Sequence, residues 1–280
     1  MRAGCFTIIL AFLLVSLFAC QLAKPAQSSA ASSINSGSKS SGSSKSAESV
    51  SSAASDETPS LTYPAKAKNN GKDKKNRDVF IIGDSISEQY GPFLQIELEN
   101  FFGYARKKGK PDVGLPEVAG DNGRSSAYVL GYLNYETGEA STKYDILAIN
   151  CGIHDISNDK IPLNDYIENL KKIITVAKAN ATDVVWITTT PAKASVNITT
   201  SSGITTPFNK EVLNYNYEAA KLMIENDIYI IDLYSLTKSY GPVDTLLADE
   251  YHFNAVTQEK QAKDIARILK ENFYNYDLNR

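Results

Sequence analysis

Short apolar runs alternate with amphipathic stretches from Asp78 onward. The apolar runs are nearly free of polar residues, as expected for strands of a parallel sheet that is covered on both faces. They lie at 79–82, 145–150, 184–188 and 228–231, and a weaker strand is expected before Gly120. Leu, Ile and Ala recur at three- and four-residue steps between them, which predicts helices. These helices are expected at 86–102, 125–133, 162–180, 209–226 and 255–273. The alternation predicts a three-layer α/β/α domain with a parallel sheet of about five strands.

The N-terminal segment has a different pattern. An apolar run at 6–18 follows Arg2, and its length is typical of the central region of a signal peptide and short for a membrane span. The run ends in Leu-Phe-Ala-Cys at 17–20 and resembles a bacterial lipobox, which implies cleavage before Cys20 and acylation of that residue. Because Phe18 is bulkier than is usual in a lipobox, a plain cleaved signal or an uncleaved anchor stays as the alternative.

Residues 21–77 are dominated by Ser, with Ala, Gly and Lys, and have almost no apolar periodicity. Such a composition cannot bury enough apolar surface to offset the entropy of ordering, so we predict a flexible tether. A random coil of about 50 residues reaches roughly 35 to 45 Å. The predicted organisation is a signal peptide at 1–20, a tether at 21–77 and a folded domain at 78–280, with the protein exported and held by lipid at the cell surface or in the periplasm.

Charge and composition narrow the function. The 280-residue chain has 29 basic and 32 acidic residues, a net charge of -3, which argues against the basic face that nucleic-acid binding needs. Of the three cysteines, Cys5 and Cys20 lie in the leader, so Cys151 is expected to be a small buried hydrophobic residue. The only histidines are His154 and His252, so a general base with an imidazole must be one of them.

Polar residues follow the predicted strands, where functional groups of parallel sheets collect. Ser85 comes after a strand and opens a predicted helix, so its hydroxyl would lie beside free backbone N–H groups that suit an oxyanion. An ordinary helix cap is the alternative reading of this serine. Asp249 and His252 precede the last predicted helix, and a turn there could present them as the orienter and base of a serine triad. Taken alone, they would be read first as solvated loop residues.

Four motifs occur in a fixed order along the chain. They are Gly83-Asp84-Ser85-Ile86, Gly120-x-x-Gly123, Gly152-Ile153-His154-Asp155 and Asp249-x-x-His252. This series resembles the motif blocks of the SGNH (GDSL-type) hydrolase family, over about residues 78–273. The resemblance implies a flavodoxin-like α/β/α fold and a catalytic triad of Ser85, Asp249 and His252. It also implies that no metal or organic cofactor is needed.

In that family the oxyanion hole combines the N–H of the serine, a glycine N–H from the second block and an asparagine side chain from the third. The resemblance therefore assigns these roles to Ser85 and Gly123, with Gly120 as the fallback glycine. His154 stands where the family has asparagine, and a neutral imidazole can still donate one N–H. Asp155 would either select the tautomer of His154 or cap the loop.

The resemblance implies ester hydrolysis through an acyl-enzyme on Ser85, and the predicted substrate is a small-molecule or glycan ester, such as O-acetyl groups on a glycan. Two alternatives stay open: a carbohydrate-binding pseudoenzyme, in which His154 marks the loss of catalysis, and an O-acyltransferase that uses the same triad. The long polar connection at 193–208 is a candidate substrate lip. A surface insertion without function is its alternative.

Overall fold

The structure, a computed structural model, describes residues 77–107, 122–138 and 141–274. The predicted signal peptide, Cys20, Gly120 and the predicted tether up to residue 76 lie outside these residues. Arg77, predicted as the last residue of the tether, is instead buried in the folded domain and pairs with Asp183. The α-helices of the described part are α1 (Ser85–Leu98), α2 (Ser126–Gly138), α3 (Ile153–Ser157), α4 (Leu163–Asn180), α5 (Phe208–Glu225), α6 (Leu233–Ser239), α7 (Val243–Leu246) and α8 (Ala255–Leu269), and a π-helix at Lys270–Tyr274 follows α8. The strands are β1 (Asp78–Ile82), β2 (Gly103–Arg106), β3 (Tyr144–Ile149), β4 (Ala181–Ile187), β5 (Asn197–Thr199), β6 (Thr205–Pro207) and β7 (Tyr229–Ile231).

Five strands form one parallel sheet in the order β2-β1-β3-β4-β7. Val79 on β1 pairs with Tyr104 on one side and Ile146 on the other. The predicted fold class is therefore confirmed. The edge strand β2 ends at Arg106, and the residues directly before Gly120, where a weaker strand is expected, lie outside the described part of the chain. In this flavodoxin-like order, β2 lies on one side of β1 and the later strands lie on the other side. Such a reversal of direction leaves a crevice for ligands at the carboxyl ends of β1 and β3.

Helices cover both faces of the sheet. Helix α8 packs on α1 and α6, whereas α4 packs on α2 and α5. Helix α4 shows why these segments fold as they do, because Leu170, Ile173 and Ala177 share one face and are buried. The sheet side of the core includes the fully buried Trp186 on β4. No helix within the described ranges combines the length and the apolar character needed to cross a membrane.

Three short helices, α3, α6 and α7, and the antiparallel β5–β6 hairpin were not predicted. Each is too short to display the periodicity that identifies an element from sequence. Helix α1 ends at Leu98, earlier than the predicted 102, and β2 begins at Gly103. The hairpin occupies most of the predicted lip at 193–208.

Candidate active site

Ser85, His252 and Asp249 form a hydrogen-bonded chain at the carboxyl edge of the sheet. Ser85 is the first residue of α1, directly after β1, and His252 lies in the loop before α8. His252 Nε2 lies 2.9 Å from Ser85 Oγ, and His252 Nδ1 lies 2.8 Å from Asp249 Oδ2. The structure thus joins a hydroxyl, an imidazole and a carboxylate. The residues that carry the hydroxyl and the imidazole are 167 positions apart in sequence.

Asp249 is fixed by its own loop. Its Oδ1 accepts hydrogen bonds from the backbone N–H groups of Tyr251, at 2.8 Å, and His252, at 2.7 Å. Partial burial acts to raise the pKa of Asp249, but the hydrogen bonds from His252 and Tyr251 outweigh it and lower the pKa to about 2. An ionised Asp249 holds the proton of His252 on Nδ1, so Nε2 faces Ser85 as an acceptor. The Asp249 side chain is 57% exposed, so the attraction is screened by water and its main effect is orientation.

Ser85 N–H stands at the start of α1, where an N–H has no acceptor within the helix. This start is set by Asp84, whose Oδ1 accepts a hydrogen bond from Ile86 N–H at 3.0 Å. The Ser87 hydroxyl donates to the Asp84 carbonyl at 2.6 Å and closes the same turn. The N–H of Ser85 can therefore serve an oxyanion that forms beside its own hydroxyl.

Gly123 packs directly on Gly83, which precedes Ser85 by two positions. A Cβ at position 123 would come within 2.9 Å of the Gly83 carbonyl oxygen, so only glycine fits without backbone movement. The Gly123 N–H donates to that same carbonyl at 2.7 Å. As an oxyanion donor, Gly123 would have to exchange this bond for one to the substrate, so its predicted role stays a prediction. The fallback, Gly120, lies outside the described residues.

His154 lies in α3, after β3, and is partly buried. Burial is the main cause that lowers its pKa; the positive charge of Arg124 and the nearby His252 act in the same direction, and Asp159 opposes them. A lowered pKa keeps the imidazole neutral near neutral pH, as a donor through one nitrogen requires. Within the described part of the chain, its Nδ1 is buried without a hydrogen-bond partner.

Asp155 caps helix α2. Its two carboxylate oxygens accept the N–H of Ser126, at 3.1 and 3.0 Å, and one of them also accepts the Ser126 hydroxyl. Burial raises the pKa of Asp155 to about 6, against the lowering effect of these bonds. Of the two roles predicted for Asp155, the cap is the one that its observed hydrogen bonds support. The contact also ties the loop of His154 to the loop of Gly123.

Sequence reasoning missed the hydrogen bonds that hold the loop of His154 in place. Asn216 on α5 pairs with the backbone of Thr189: its Oδ1 accepts the Thr189 N–H at 2.9 Å and its Nδ2 donates to the Thr189 carbonyl at 2.8 Å. The Thr189 hydroxyl donates to the carbonyl of Cys151 at 3.1 Å. Gly152 has a φ of +150°, and a Cβ there would lie 2.2 Å from that hydroxyl oxygen. Cys151 is buried, as predicted.

Arg124 was also missed. It has a left-handed backbone, with a φ of +49°, and its N–H donates to Asn122 Oδ1 at 2.8 Å. Its neighbours Gly123 and Ser126 are bonded to the loops that follow β1 and β3, which places Arg124 beside the site. An isolated arginine in a loop of small polar residues is the only signal that the sequence offers. Among the described residues, no group of three or more His, Cys, Asp or Glu side chains could hold a metal ion.

Asp84 carries a carboxyl group that is fully buried beside Ser85. Burial raises its pKa from 3.8 to about 6, despite hydrogen bonds from the backbone N–H groups of Ile86 and Ser87. One of its oxygens, Oδ2, is buried without a hydrogen-bond partner within the described residues. The native state therefore holds a proton on Asp84 at pH values at which the unfolded chain has released it.

This difference predicts a pH-dependent effect of Asp84→Asn. Because the folded-state pKa is raised, the wild type has the full stability contribution of Asp84 below about pH 4 and loses it as the pH rises to about 6. Asparagine does not titrate, so the variant should gain on the order of 2 kcal/mol relative to the wild type across this range. Urea unfolding between pH 4 and 7.5 measures the difference in the free energy of unfolding between variant and wild type. Asp165→Asn, at an exposed position, is the control. A difference between variant and wild type that does not change with pH would contradict the interpretation.

The arrangement of the fold and the Ser85–His252–Asp249 chain is that of a serine hydrolase. Residues 79–265 match the model of the GDSL-like lipase/acylhydrolase family, and the chain belongs to this family, the SGNH hydrolases. Comparison with curated proteins gave no match.

Solved structures share the fold at low sequence identity. A lipase/acylhydrolase from Enterococcus faecalis is 22% identical, with a TM-score of 0.52, and the match covers 70% of this chain and 96% of that one. A member of the lipolytic G-D-S-L family from Veillonella parvula is 17% identical, with a TM-score of 0.51 and coverages of 69% and 98%. Axe2, an acetylxylan esterase from Geobacillus stearothermophilus, is 13% identical, with a TM-score of 0.50 and coverages of 74% and 100%.

Proposed function

We propose that the protein is an esterase that cleaves short-chain carboxylic esters through an acyl-enzyme on Ser85. The observation that carries the proposal is the continuous hydrogen-bonded chain from Ser85 Oγ through His252 to Asp249. A nucleophilic hydroxyl needs a base within hydrogen-bond reach and a third group that orients the base, and this site supplies both.

In the first half-reaction, Ser85 Oγ attacks the ester carbonyl carbon while His252 Nε2 takes the hydroxyl proton. The tetrahedral intermediate then expels the alcohol, which receives that proton from His252. In the second half-reaction, water attacks the acyl group, His252 takes a proton from the water, and Ser85 regains a proton as the acid leaves. Asp249 stabilises the imidazolium that forms in each half.

The substrate class that we propose is an O-acetylated glycan. The support is the polar character of the 193–208 segment beside the site and the fold shared with an enzyme named acetylxylan esterase. At 13% identity this second point is an analogy of fold, since one fold hosts many substrates.

Hydrolysis of aryl acetate, butyrate and longer-chain aryl esters by the full-length chain tests both the reaction and the acyl size. We expect kcat/KM to be highest for acetate and to fall with chain length. Absence of turnover and of an acyl-enzyme with any ester, together with glycan binding, would support the pseudoenzyme alternative. Transfer of acetyl to an added sugar in preference to water would indicate the acyltransferase.

His154 should donate to the oxyanion in place of the family's asparagine. If so, His154→Ala should lower kcat about 10²- to 10³-fold, the usual effect of removing one such donor, whereas His154→Asn should keep appreciable activity because an amide N–H can replace the imidazole N–H. The preference for acyl-chain length should stay unchanged in both variants, since the donor acts on developing charge. Circular dichroism checks the fold, and a folded His154→Ala variant with wild-type turnover would exclude the role.

We also propose that the protein is exported and anchored through acylated Cys20. The support is the apolar run at 6–18 that ends in the lipobox-like sequence before Cys20. Two or more acyl chains on one cysteine anchor a protein stably, whereas a single chain does not. The wild type should partition into the detergent phase of a cell extract, and Cys20→Ser should become soluble or stay as an uncleaved precursor. Equal partitioning, with a mature N-terminus away from residue 20, would reject the anchor.

A further inference from the structure

The segment that contains the β5–β6 hairpin is fixed to the loop that carries the triad base. Lys193 N–H, at the start of this segment, donates to the carbonyl of Glu250 at 2.8 Å. At the other end, the ring of Phe208 meets the ring of Tyr251 edge-on, with centroids 5.2 Å apart. Glu250 and Tyr251 lie between Asp249 and His252. The segment therefore contacts the 249–252 loop at both of its ends.

A cleft of about 340 Å³ lies between this hairpin, the segment after β3 and helix α5. We call it the hairpin cleft; Ile198 and Ile204 line it from the hairpin, Asp155 and Ile161 from the segment after β3, and Lys210 and Tyr215 from α5. Asp155 directly follows His154. The wall formed by the segment after β3 is therefore continuous in sequence with the proposed oxyanion donor, His154. The wall formed by the hairpin contacts the loop of the proposed base, His252, at both of its ends.

The lining of the hairpin cleft has a mixed chemistry. Isoleucine side chains from both walls are combined with the hydroxyl groups of Thr200, Ser201 and Ser202, and with charged residues of both signs, such as Lys210 and Glu211. The volume falls within the range of roughly 300 to 1,000 Å³ that is typical of small-molecule sites.

The lining of the hairpin cleft suits the sugar part of an ester better than a long acyl tail. A long acyl tail in the cleft would remove the charged groups of Lys210 and Glu211 from water, which costs free energy. A sugar ring presents apolar C–H faces and hydroxyl edges, which match the isoleucines and the polar rim. Because both signs of charge occur, the lining complements a neutral polar ligand better than a polyanion.

We propose that the hairpin cleft binds the carbohydrate part of the substrate, with sugar units next to the acylated one lying between the hairpin and α5. This inference rests on the proposed esterase function and adds to it the site that selects an oligosaccharide over a small ester.

The experiment compares the wild type and two single variants, Ile204→Ser and Lys210→Ala, as full-length chains. Ile204 is 63% exposed, so its replacement should not disturb folding, and Ile96 on α1, at 69% exposure, gives the matched control Ile96→Ser. The probes are aryl acetate, acetylated xylose, O-acetylated xylo- and chito-oligosaccharides, and an O-acetylserine peptide.

The wild type should have a KM for at least one acetylated oligosaccharide that is about tenfold below its KM for acetylated xylose. Each cleft variant should raise the oligosaccharide KM about three- to tenfold, as expected for the loss of one or two contacts, with kcat and aryl acetate kinetics unchanged. Ile96→Ser should behave as the wild type.

Equal kinetics for mono- and oligosaccharide, a preference for the peptide, or equal losses on aryl acetate and oligosaccharide would overturn the inference. Ser85-dependent aryl acetate hydrolysis tests the esterase function separately, because that small substrate does not fill the cleft. An esterase that fails only the oligosaccharide comparison would keep the proposed function and lose the cleft assignment.

Discussion

Ser85→Ala should abolish ester hydrolysis, with kcat lowered by about 10⁶, the scale of the loss when a triad serine is removed. The Ser85 hydroxyl is the group that His252 Nε2 contacts at 2.9 Å, and alanine leaves the imidazole with no nucleophile to activate. Turnover of aryl acetate and covalent labelling by a fluorophosphonate measure the change. The fold should persist, because Asp84 continues to cap α1 through Ile86 N–H.

Ser87→Ala is the matched control for this result. It removes a hydroxyl two positions along the same helix, whose hydrogen bond goes to the carbonyl of Asp84, and labelling should be retained. A fluorophosphonate adduct on the Ser85→Ala protein would place the nucleophile elsewhere.

Asp249→Asn should retain the fold and lower kcat about 10²- to 10⁴-fold. Oδ1 can still accept the N–H groups of Tyr251 and His252, so the turn should survive. The amide can no longer stabilise the imidazolium, and its NH₂ group can favour the tautomer of His252 that cannot accept the Ser85 proton. A loss of about 10⁴-fold in kcat is the effect of this change at a buried triad aspartate. Because Asp249 is exposed, we expect its loss to be no larger than that.

Glu250→Gln provides the comparison for this change, since Glu250 is the neighbouring acid and uses its backbone carbonyl to bind Lys193. It should hydrolyse aryl acetate at the wild-type rate. If Asp249→Asn also kept the full rate while folded, the orienter of His252 would have to be another group.

Much of the site followed from sequence because its parts stand at predictable places. The carboxyl ends of β1 and β3 had to meet at one sheet edge, so the sequence alone places Ser85 and the loop of His154 together. A short turn is expected to bring Asp249 and His252 side by side, and their roles as orienter and base come from the resemblance to the SGNH family. The hydrogen bonds of Asp249 to Tyr251 and His252 show that turn.

Other features had no signal that sequence reasoning could use. The pairing of Asn216 with Thr189 joins α5 to the end of β4 through one side chain, and such a contact leaves no periodic pattern. The direction of the Gly123 N–H depends on how closely two loops approach, within 2.7 Å of the Gly83 carbonyl. The hairpin at 197–207 has strands of three residues, too short to stand out from a polar connection.

The packing of α8 on α1 has a consequence for the time at which activity can appear during synthesis. Ser85 opens α1 and His252 lies just before α8, so the ribosome makes the proposed nucleophile early and the proposed base near the end of the domain. At roughly 5 to 20 residues per second, the intervening segment takes on the order of ten seconds to emerge. Until the last helix docks, Ser85 lacks the imidazole of His252, so the proposed esterase would not act on esters that the nascent chain meets before its folding is complete.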